Sequence, residues 1–216
     1  MTTLIIGAHG HVGQHIVKQL AATGETVYAG IRSATQADSI TTLGGQPRIV
    51  DLMGTAEAMV PAMAGVDTVV FSAGSGGSTG DDMTLNIDLD GAIKSMIATE
   101  KAGIKRFIIV SAMGTDDRTF WDKSGIRPYY VAKYYADQWL RHRTDLDYTI
   151  VRPGILTNDA PTGKITLDTA NSDIKSISRE DVAAAVVAVV KHPLPKQTFE
   201  LVNGDTTITD AVAAVK

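Results

Sequence analysis

The sequence predicts a doubly wound α/β fold, in which a mostly parallel sheet carries helices on both faces. Strand-like and helix-like segments alternate along most of the chain. Several of the strand-like segments, such as residues 107–110, are almost continuously apolar, as expected for strands buried on both faces. A glycine-rich turn also follows the first apolar run directly: Gly7-Ala8-His9-Gly10-His11-Val12-Gly13.

The element pattern continues to the end of the chain. Strands are predicted at 3–7, 26–31, 47–51, 67–72, 105–111 and 147–152, and helices at 12–23, 54–64, 82–102 and 128–143. A shorter set follows, with strands at 163–167 and 197–202 and helices at 179–191 and 207–215. Ser178 is the predicted N-cap of the 179–191 helix, with Asp181 three residues further on. Because no linker or repeat interrupts the pattern, we expect one domain, 1–216, with small C-terminal elements on the substrate side.

Composition narrows the class of protein. The chain has 216 residues, of which 44% are hydrophobic and 20% charged, which suits a domain with a sizeable core. The net charge of -4 gives no basic footprint for nucleic acid, and neither a membrane-spanning run nor a signal peptide is recognisable. The absence of cysteine excludes disulfides, thiolate zinc sites and a cysteine nucleophile. We expect a cytoplasmic monomer or homodimer that binds a small molecule and no metal, although His11 and His15 are four residues apart.

The glycine-rich turn predicts a nucleotide-binding site. Gly7 permits the tight turn, Gly10 lets the backbone approach a pyrophosphate, and Gly13 lets helix and strand pack closely. The following helix offers free N–H groups and a partial positive charge at its N-terminus. The spacing is G-x-x-G-x-x-G, which differs from the commonest fingerprint, but the strand before it and the helix after it favour a ligand over a plain turn. His9, His11 and Val12 are included in the predicted contact set.

The end of the second strand favours NADP(H) over NAD(H). Arg32, followed by Ser33, occupies the place where NAD-binding folds of this kind carry a carboxylate. A guanidinium suits a 2′-phosphate by charge-assisted bidentate hydrogen bonding. The alternative is that Arg32 stacks on adenine or points to solvent. The ends of the third and fourth strands supply the other predicted cofactor contacts: Asp51, Leu52, Ala73 and Gly74.

The chain resembles the short-chain dehydrogenase/reductase superfamily. It is most similar to the atypical branch of NmrA-like and NAD(P)H-binding proteins, many of which carry sugar-epimerase names. The resemblance implies a Rossmann-like fold and spans nearly the whole chain. Beyond the turn, Arg32-Ser33 and Asp51-Leu52, its motifs are Gly103-Ile104-Lys105-Arg106-Phe107 leading to Val110-Ser111, Tyr129-x-x-x-Lys133 with Ala136-Asp137, Tyr148-Thr149-Ile150-Val151-Arg152-Pro153-Gly154, and residues 178–182.

The resemblance also implies a catalytic set. Tyr129 and Lys133 lie four residues apart on a predicted helix, and therefore on one face. In the family, the matching tyrosine exchanges a proton while nicotinamide transfers hydride. The matching lysine lowers the phenol pKa and holds the nicotinamide ribose. The serine after the fifth strand, here Ser111, orients the substrate oxygen, and Pro153 borders the nicotinamide amide.

Two local alternatives stay open. Tyr129 and Lys133 match a pair that is also common on helix surfaces, and Tyr130 with Tyr134 forms a second such pair, which suits packing. Around the loop after Ser111, three aromatic side chains could wall a pocket for flavins or quinones: Phe120, Trp121 and Tyr129. The alternative is that Trp121 pins the loop to the core. The loop's carboxylates are expected to be solvated rather than catalytic: Asp116, Asp117 and Asp122.

The favoured interpretation is an NADP(H)-dependent oxidoreductase of the atypical short-chain type that acts on a small carbonyl, quinone or flavin-like substrate. One alternative is an NmrA-like sensor that reports the NADPH/NADP ratio without turnover, although the Tyr-x-x-x-Lys pair argues mildly against it. The other is a nucleotide-sugar epimerase or dehydratase. Against that reading, the chain is short and has no obvious substrate domain after the sixth strand.

Overall fold

A nine-stranded sheet forms the centre of the computed structural model, which describes residues 1–215. Its order is β11-β8-β10-β6-β5-β4-β1-β2-β3. The parallel strands from β10 to β3 follow the strand order of a doubly wound fold, and β8 pairs antiparallel with β10 and β11. The strands are β1 Thr2–Ile6, β2 Thr26–Ile31, β3 Gln46–Ile49, β4 Thr68–Phe71, β5 Arg106–Val110, β6 Asp147–Pro153, β7 Ile155–Thr157, β8 Lys164–Thr166, β9 Ser176–Ser178, β10 Gln197–Asn203 and β11 Thr206–Thr207.

Helices cover both faces of the sheet, so the predicted α/β class is confirmed. They are α1 His11–Ala21, α2 Ala37–Thr42, α3 Ala56–Met59, α4 Asp81–Met83, α5 Ala92–Lys101, α6 Arg118–Lys123, α7 Arg127–Arg143, α8 Arg179–Lys191 and α9 Ile208–Ala213. Short 3₁₀ turns at Ala34–Gln36 and Val60–Met63 adjoin α2 and α3, and a π-helical segment at Thr84–Gly91 joins α4 to α5. No helix within residues 1–215 is long and apolar enough to cross a membrane.

Successive core residues of a strand pack on opposite faces of the sheet. Ile108 packs on the face covered by α1 and α8, whereas its neighbours Phe107 and Ile109 pack on the face covered by α3, α5 and α7. Both sets are fully buried, which explains the unbroken apolar runs in the sequence. The predicted cap of α8 is confirmed, because Ser178 accepts a hydrogen bond from Asp181 N at 3.0 Å.

Four differences from the predicted elements matter for the site. The predicted 82–102 helix contains the π-helical segment Thr84–Gly91, which packs on α7. The predicted 54–64 helix is reduced to α3 and its 3₁₀ extension. Helix α6 stands in a stretch that was predicted as loop. Strands β7 and β9 pair with each other in a separate two-stranded sheet, in stretches for which no strand or helix was predicted.

Candidate active site and cofactor cavity

The glycine turn after β1 is packed so tightly that side chains are excluded. Gly7 has φ +84°, and a Cβ added there would lie 2.6 Å from both the backbone N and the Cα of Ala73. A Cβ at Gly13 would lie 2.3 Å from the carbonyl oxygen of Gly7. The turn therefore fixes β1, β4 and α1 against one another through backbone contacts.

The N-terminus of α1 is open to an anion. Gly10 is its N-cap, and within the described chain no side chain caps it and no acidic residue lies in its first turn. By helix geometry, the first N–H groups of α1 have no partner within the helix. Gln14 Nε2 donates to His9 O at 2.8 Å, which holds the turn in place. These unpartnered donors, together with the helix dipole, suit a phosphate.

A cavity of about 330 Å³ lies at the carboxyl ends of β1 to β4, and we call it the glycine cavity. Eight of the predicted cofactor residues line it: Gly7, His9, Gly10, Arg32, Asp51, Leu52, Ala73 and Gly74. The Ser72 hydroxyl, which sequence reasoning missed, is buried in the wall without a hydrogen-bond partner in residues 1–215. The backbone turn, the open helix end and this hydroxyl fit a dinucleotide.

Other predicted cofactor residues do not line the glycine cavity. Val12 and Gly13 are buried in α1, His11 is exposed on it, and Ser33 accepts a hydrogen bond from Thr35 N at 3.3 Å. Ser33 thereby caps the short 3₁₀ turn that follows β2.

Arg32 is exposed at the rim of the glycine cavity. Its backbone N donates to Gln36 Oε1 at 3.2 Å. Its guanidinium forms no ion pair with any residue of the described part of the chain. Asp51, on the same cavity wall, accepts from Met53 N at 2.9 Å. The guanidinium of Arg32, at the end of β2, is therefore a cation without an ionic partner in the described part of the chain.

A second cavity, of about 920 Å³, lies at the carboxyl ends of β5 and β6, and we call it the aromatic cavity. It brings together Ser111, Tyr129 and Pro153. Pro153 thus lies in this cavity and not in the glycine cavity. Much of the remaining wall is apolar or aromatic, with Met113, Phe120, Ile126, Tyr130, Ile155 and Leu156.

Trp121 does not line the aromatic cavity. Its side chain is fully buried, and its Nε1 donates to Gly114 O at 3.3 Å and to Thr115 O at 3.1 Å. It therefore pins the loop after Ser111, which confirms the structural alternative for this residue. Tyr134 packs on the Trp121 ring, with centroids 5.2 Å apart.

Lys133 lies behind Tyr129 and lines neither cavity. It is 3% exposed, and its Nζ lies 3.1 Å from Asp88 Oδ1 and 5.5 Å from the centroid of the Tyr129 ring. Nζ also donates to Val110 O at 3.4 Å. Burial lowers the pKa of Lys133, but Asp88, with help from Tyr129, outweighs burial and leaves the pKa above its usual value. The ammonium is therefore charged.

The pKa of Tyr129 moves in the direction opposite to the expected one. Burial raises the pKa of the phenol, Lys133 opposes the rise, and Asp88 and Asp137 add to it. Lys133 thus lowers the phenol pKa as expected, but burial, with Asp88 and Asp137, outweighs it, so the pKa does not move toward neutrality. Burial likewise raises the pKa of Tyr130 to about 12. Both phenols keep their protons at neutral pH.

A charge network, buried apart from the half-exposed Asp116, lies at the wall of the aromatic cavity. Ser111 Oγ donates to Asp137 Oδ2 at 2.9 Å, and the same oxygen accepts from Arg152 Nη2 at 2.8 Å. Arg152 also forms a bidentate pair with Asp116, at 2.5 and 3.1 Å. Burial raises the pKa of Asp137, against the effect of Arg152, whereas hydrogen bonding from Arg152 lowers the pKa of Asp116.

The three loop carboxylates are exposed, and each of them also contacts a structural partner. Asp116 pairs with Arg152, Asp117 caps α6 by accepting from Thr119 N at 2.9 Å, and Asp122 forms an ion pair with Arg127. The expectation that these carboxylates are solvated agrees with their exposure, and each of them also has a structural partner. Among residues 1–215, no three His, Cys, Asp or Glu side chains are grouped as a metal site.

Sequence reasoning missed Asp88, Asp137 and Arg152 as site residues. Asp88 shares the buried face of its helical segment with Thr84. A carboxylate on a buried face requires a cationic partner. Asp137 follows Lys133 by four residues on α7, so the one-face argument applied to Tyr129 and Lys133 extends to it. The positions of Asp88 and Asp137 therefore carried information that the Tyr-x-x-x-Lys motif by itself does not include.

The parallel sheet and the glycine turn define a dinucleotide-binding protein of the Rossmann type. The family described as NAD(P)H-binding matches residues 7–193. The chain therefore belongs to the NAD(P)H-binding family, as its resemblance to NmrA-like and atypical short-chain proteins predicted.

Individual relatives agree with this assignment. An uncharacterised sugar epimerase of Bacillus subtilis, YhfK, is 41% identical over 98% of this chain and 99% of its own length. A solved Bacillus halodurans protein, named as a candidate NAD-dependent epimerase/dehydratase, is 41% identical with a TM-score of 0.91, covering 100% of both chains. The anaerobilin reductase ChuY of Escherichia coli O157:H7 is 27% identical with a TM-score of 0.80, covering 96% of this chain and 99% of its own. The neighbours thus carry both epimerase and reductase names.

Proposed function

We propose that the protein is an NADP(H)-dependent oxidoreductase that acts on a small carbonyl, quinone or flavin-like compound in the aromatic cavity. One observation carries this proposal: buried polar contacts join the walls of the two cavities. Ser75 N, in the wall of the glycine cavity, donates to Asp88 Oδ2 at 2.9 Å. Asp88 pairs with Lys133, which lies against the ring of Tyr129 in the wall of the aromatic cavity.

The glycine cavity supplies the residues that would hold the cofactor. The backbone at Gly7 and Gly10 and the open end of α1 suit the pyrophosphate, and Arg32 suits a 2′-phosphate because its charge is uncompensated. The membership of the NAD(P)H-binding family supports a nicotinamide nucleotide in this cavity. When bound, the nicotinamide gives or takes a hydride.

Tyr129 is the proposed proton donor. Its phenol stays protonated at neutral pH because burial and two carboxylates raise its pKa. It lies in the wall of the aromatic cavity, where a substrate oxygen would accept its proton. Ser111 gives its own hydrogen to Asp137, so it offers the cavity a hydrogen-bond acceptor rather than a donor. This role differs from the orienting donor that the family resemblance implied.

The charges around the aromatic cavity favour a substrate without a diphosphate. Arg152 is already paired with Asp116 and Asp137, and Lys175 Nζ donates to Thr169 O at 2.6 Å. Among the described residues of this wall, Lys175 is the cation without a carboxylate partner, and the wall also carries Asp116, Asp117 and Glu200. The diphosphate of a nucleotide-sugar would therefore meet more carboxylates than cations, whereas a flat conjugated compound would contact aromatic and apolar walls. The reductase name of ChuY supports this choice over the epimerase alternative.

The test is a turnover assay with NADPH and a panel of quinones, free flavins and aldehydes, in which the absorbance of the reduced nicotinamide is followed. We expect Tyr129→Phe to lower kcat by about 10²–10⁴-fold without weakening NADPH binding, because only the proton donor is removed. Tyr135→Phe is the matched control, since Tyr135 lies exposed on the same helix and outside the cavity. Tight NADPH binding with no turnover on any acceptor would reject the enzyme and favour the sensor.

A further inference from the structure

Asp88 is a buried carboxylate to which neither the motif nor the family resemblance gives a role. It is 1% exposed and lies in the π-helical segment Thr84–Gly91, which packs against α7. Its Oδ2 accepts from Ser75 N at 2.9 Å, and its Oδ1 lies 3.1 Å from Lys133 Nζ. A Cβ added at Gly74 would lie 3.1 Å from the same Oδ1. Asp88 therefore fills the space between the loop after β4 and helix α7, which carries Tyr129 and Lys133.

The pair of Asp88 and Lys133 is almost completely desolvated. The two side chains are 1% and 4% exposed, so water screens their interaction poorly. A buried ammonium without a carboxylate would tend to lose its own proton or to favour the deprotonated form of a neighbouring acid. Its nearest acidic neighbour across the ring contact is the phenol of Tyr129, 5.5 Å from Nζ to the ring centroid.

The charged groups around Tyr129 come from several elements. Asp88 lies on the π-helical segment, and Lys133 and Asp137 lie on α7. Arg152, on β6, compensates Asp137. Tyr130, the adjacent phenol, faces Glu200 on β10. Lys133 is thus the only cation acting directly on the Tyr129 phenol among the described residues, and Asp88 is its direct partner.

We propose that Asp88 is a positioning residue that neutralises Lys133 and holds it against β5, so that Tyr129 enters the reaction as an uncharged proton donor. The reaction itself rests on the function proposed above, whereas the charge arrangement does not. In reduction, a reduced nicotinamide held in the glycine cavity would supply the hydride to the substrate carbon. The O–H bond of Tyr129 breaks as the substrate O–H bond forms, and the phenolate regains its proton from water. The arrangement favours the reductive direction, because Tyr129 already carries its proton before the substrate oxygen gains negative charge.

The direct test is the titration of Tyr129 followed by NMR of ¹³Cζ-labelled tyrosine, with the resonance assigned by its loss in Tyr129→Phe. In Asp88→Asn, the amide keeps the size and the acceptor for Ser75 N but loses the charge. We expect the Tyr129 midpoint to fall by on the order of one pH unit or more, because Lys133 then stabilises the phenolate alone. Asp90→Asn is the matched control, since Asp90 is exposed on the same segment and pairs with Lys94. An Asp88→Asn midpoint equal to that of the wild type would overturn the proposal.

A second variant protects the test against a folding failure of Asp88→Asn. In Asp88→Asn/Lys133→Gln both charges are removed together, which a buried ion pair tolerates better than the loss of one partner. We expect its Tyr129 midpoint to move less than in Asp88→Asn, because Lys133 lowers and Asp88 raises the phenol pKa, so that their removal acts in opposite directions. A midpoint that moves as far in this double variant as in Asp88→Asn contradicts neutralisation of Lys133 by Asp88.

Kinetics provide the readout that links the charges to the reaction. In the reductive direction, the alkaline limb of the kcat profile reports loss of the Tyr129 proton. It is expected to move to lower pH in Asp88→Asn by the amount seen by NMR, with NADPH affinity unchanged. An unmoved limb would refute the role of Asp88 in proton donation. If wild-type protein turns over no acceptor while the NMR midpoint still shifts, the proposed function fails and the charge arrangement stands.

Discussion

The glycine cavity and the aromatic cavity are built in different ways. The first is shaped by backbone: Gly7, Gly10 and Gly13 lie within one turn, and contacts of Gly7 with Ala73 close it. The second is shaped by residues from the loop after β5, from α6, α7, β6, β7 and β10, and from the loop before β9. A backbone site can therefore be recognised from a short motif, whereas a side-chain site depends on the whole sheet being assembled.

The two cavities also differ in charge. The glycine cavity joins an open helix N-terminus to Arg32, whose guanidinium has no ionic partner in residues 1–215. In the aromatic cavity, Arg152 is compensated by Asp116 and Asp137. The first arrangement suits an anionic nucleotide, and the second suits a substrate of little charge. Three substitutions sharpen this contrast.

Arg152→Met should have the largest effect on stability. It leaves Asp137 buried without its cation, so we expect the free energy of unfolding to fall by about 3–5 kcal/mol. Urea unfolding measures the loss. The matched control is Arg127→Met, which removes the exposed pair with Asp122 and should cost less than about 1 kcal/mol. Similar losses in the two variants would mean that the network under the aromatic cavity contributes no more than a surface pair.

Gly7→Ala should have the next largest effect, on stability and on cofactor affinity together. Gly7 combines φ +84° with a Cβ position 2.6 Å from the Ala73 backbone, so the turn must open. Gly24→Ala is the control, because Gly24 has φ +80° but nothing within 4 Å of its added Cβ. Gly24→Ala should lower the free energy of unfolding by about 1–2 kcal/mol, because of its backbone conformation alone, and should leave the affinity for NADPH unchanged.

Gly7→Ala should lower the free energy of unfolding by roughly 1 kcal/mol or more beyond the loss in Gly24→Ala, and it should also weaken NADPH binding. Urea unfolding and NADPH titration of both variants measure the two effects. If both alanine variants lose the same stability and keep the same NADPH affinity, the backbone contact with Ala73 does not shape the glycine cavity.

Arg32→Ala should have the smallest effect, and a selective one. Loss of charge-assisted hydrogen bonds to a 2′-phosphate is worth about 1.5–3 kcal/mol, or roughly 10–150-fold in the Kd of NADPH. The Kd of NADH should change by less than about twofold, because NADH has no such phosphate. Arg143→Ala, in an exposed arginine outside both cavities, controls for net charge. Equal losses for the two nucleotides would refute the role assigned to Arg32.

The features that the sequence predicted correctly are local ones. The β2 strand at 26–31 and the α8 helix at 179–191 have the predicted bounds, because alternation, apolar runs and the Ser178 cap are local signals. The glycine turn also needs only consecutive residues, and eight of the predicted cofactor residues line one cavity. The family motif brought Tyr129 and Ser111 to the same cavity.

The features that were missed depend on contacts between distant segments. Asp88 meets Lys133 only because the π-helical segment lies on α7, and no local pattern distinguishes π from α geometry. Arg152 and Asp137 lie 15 residues apart, on a strand and a helix. The net direction of the Tyr129 pKa was missed for the same reason, since the motif names the ammonium but neither the burial of the phenol nor the carboxylates that add to it.

Calorimetric titration of NADPH and NADH into the wild-type protein tests the central claim most directly. The glycine cavity, with its open helix end and uncompensated Arg32, predicts saturable binding of one nucleotide per chain, with NADPH tighter than NADH. Absence of binding for both nucleotides, or tighter binding of NADH, would contradict it.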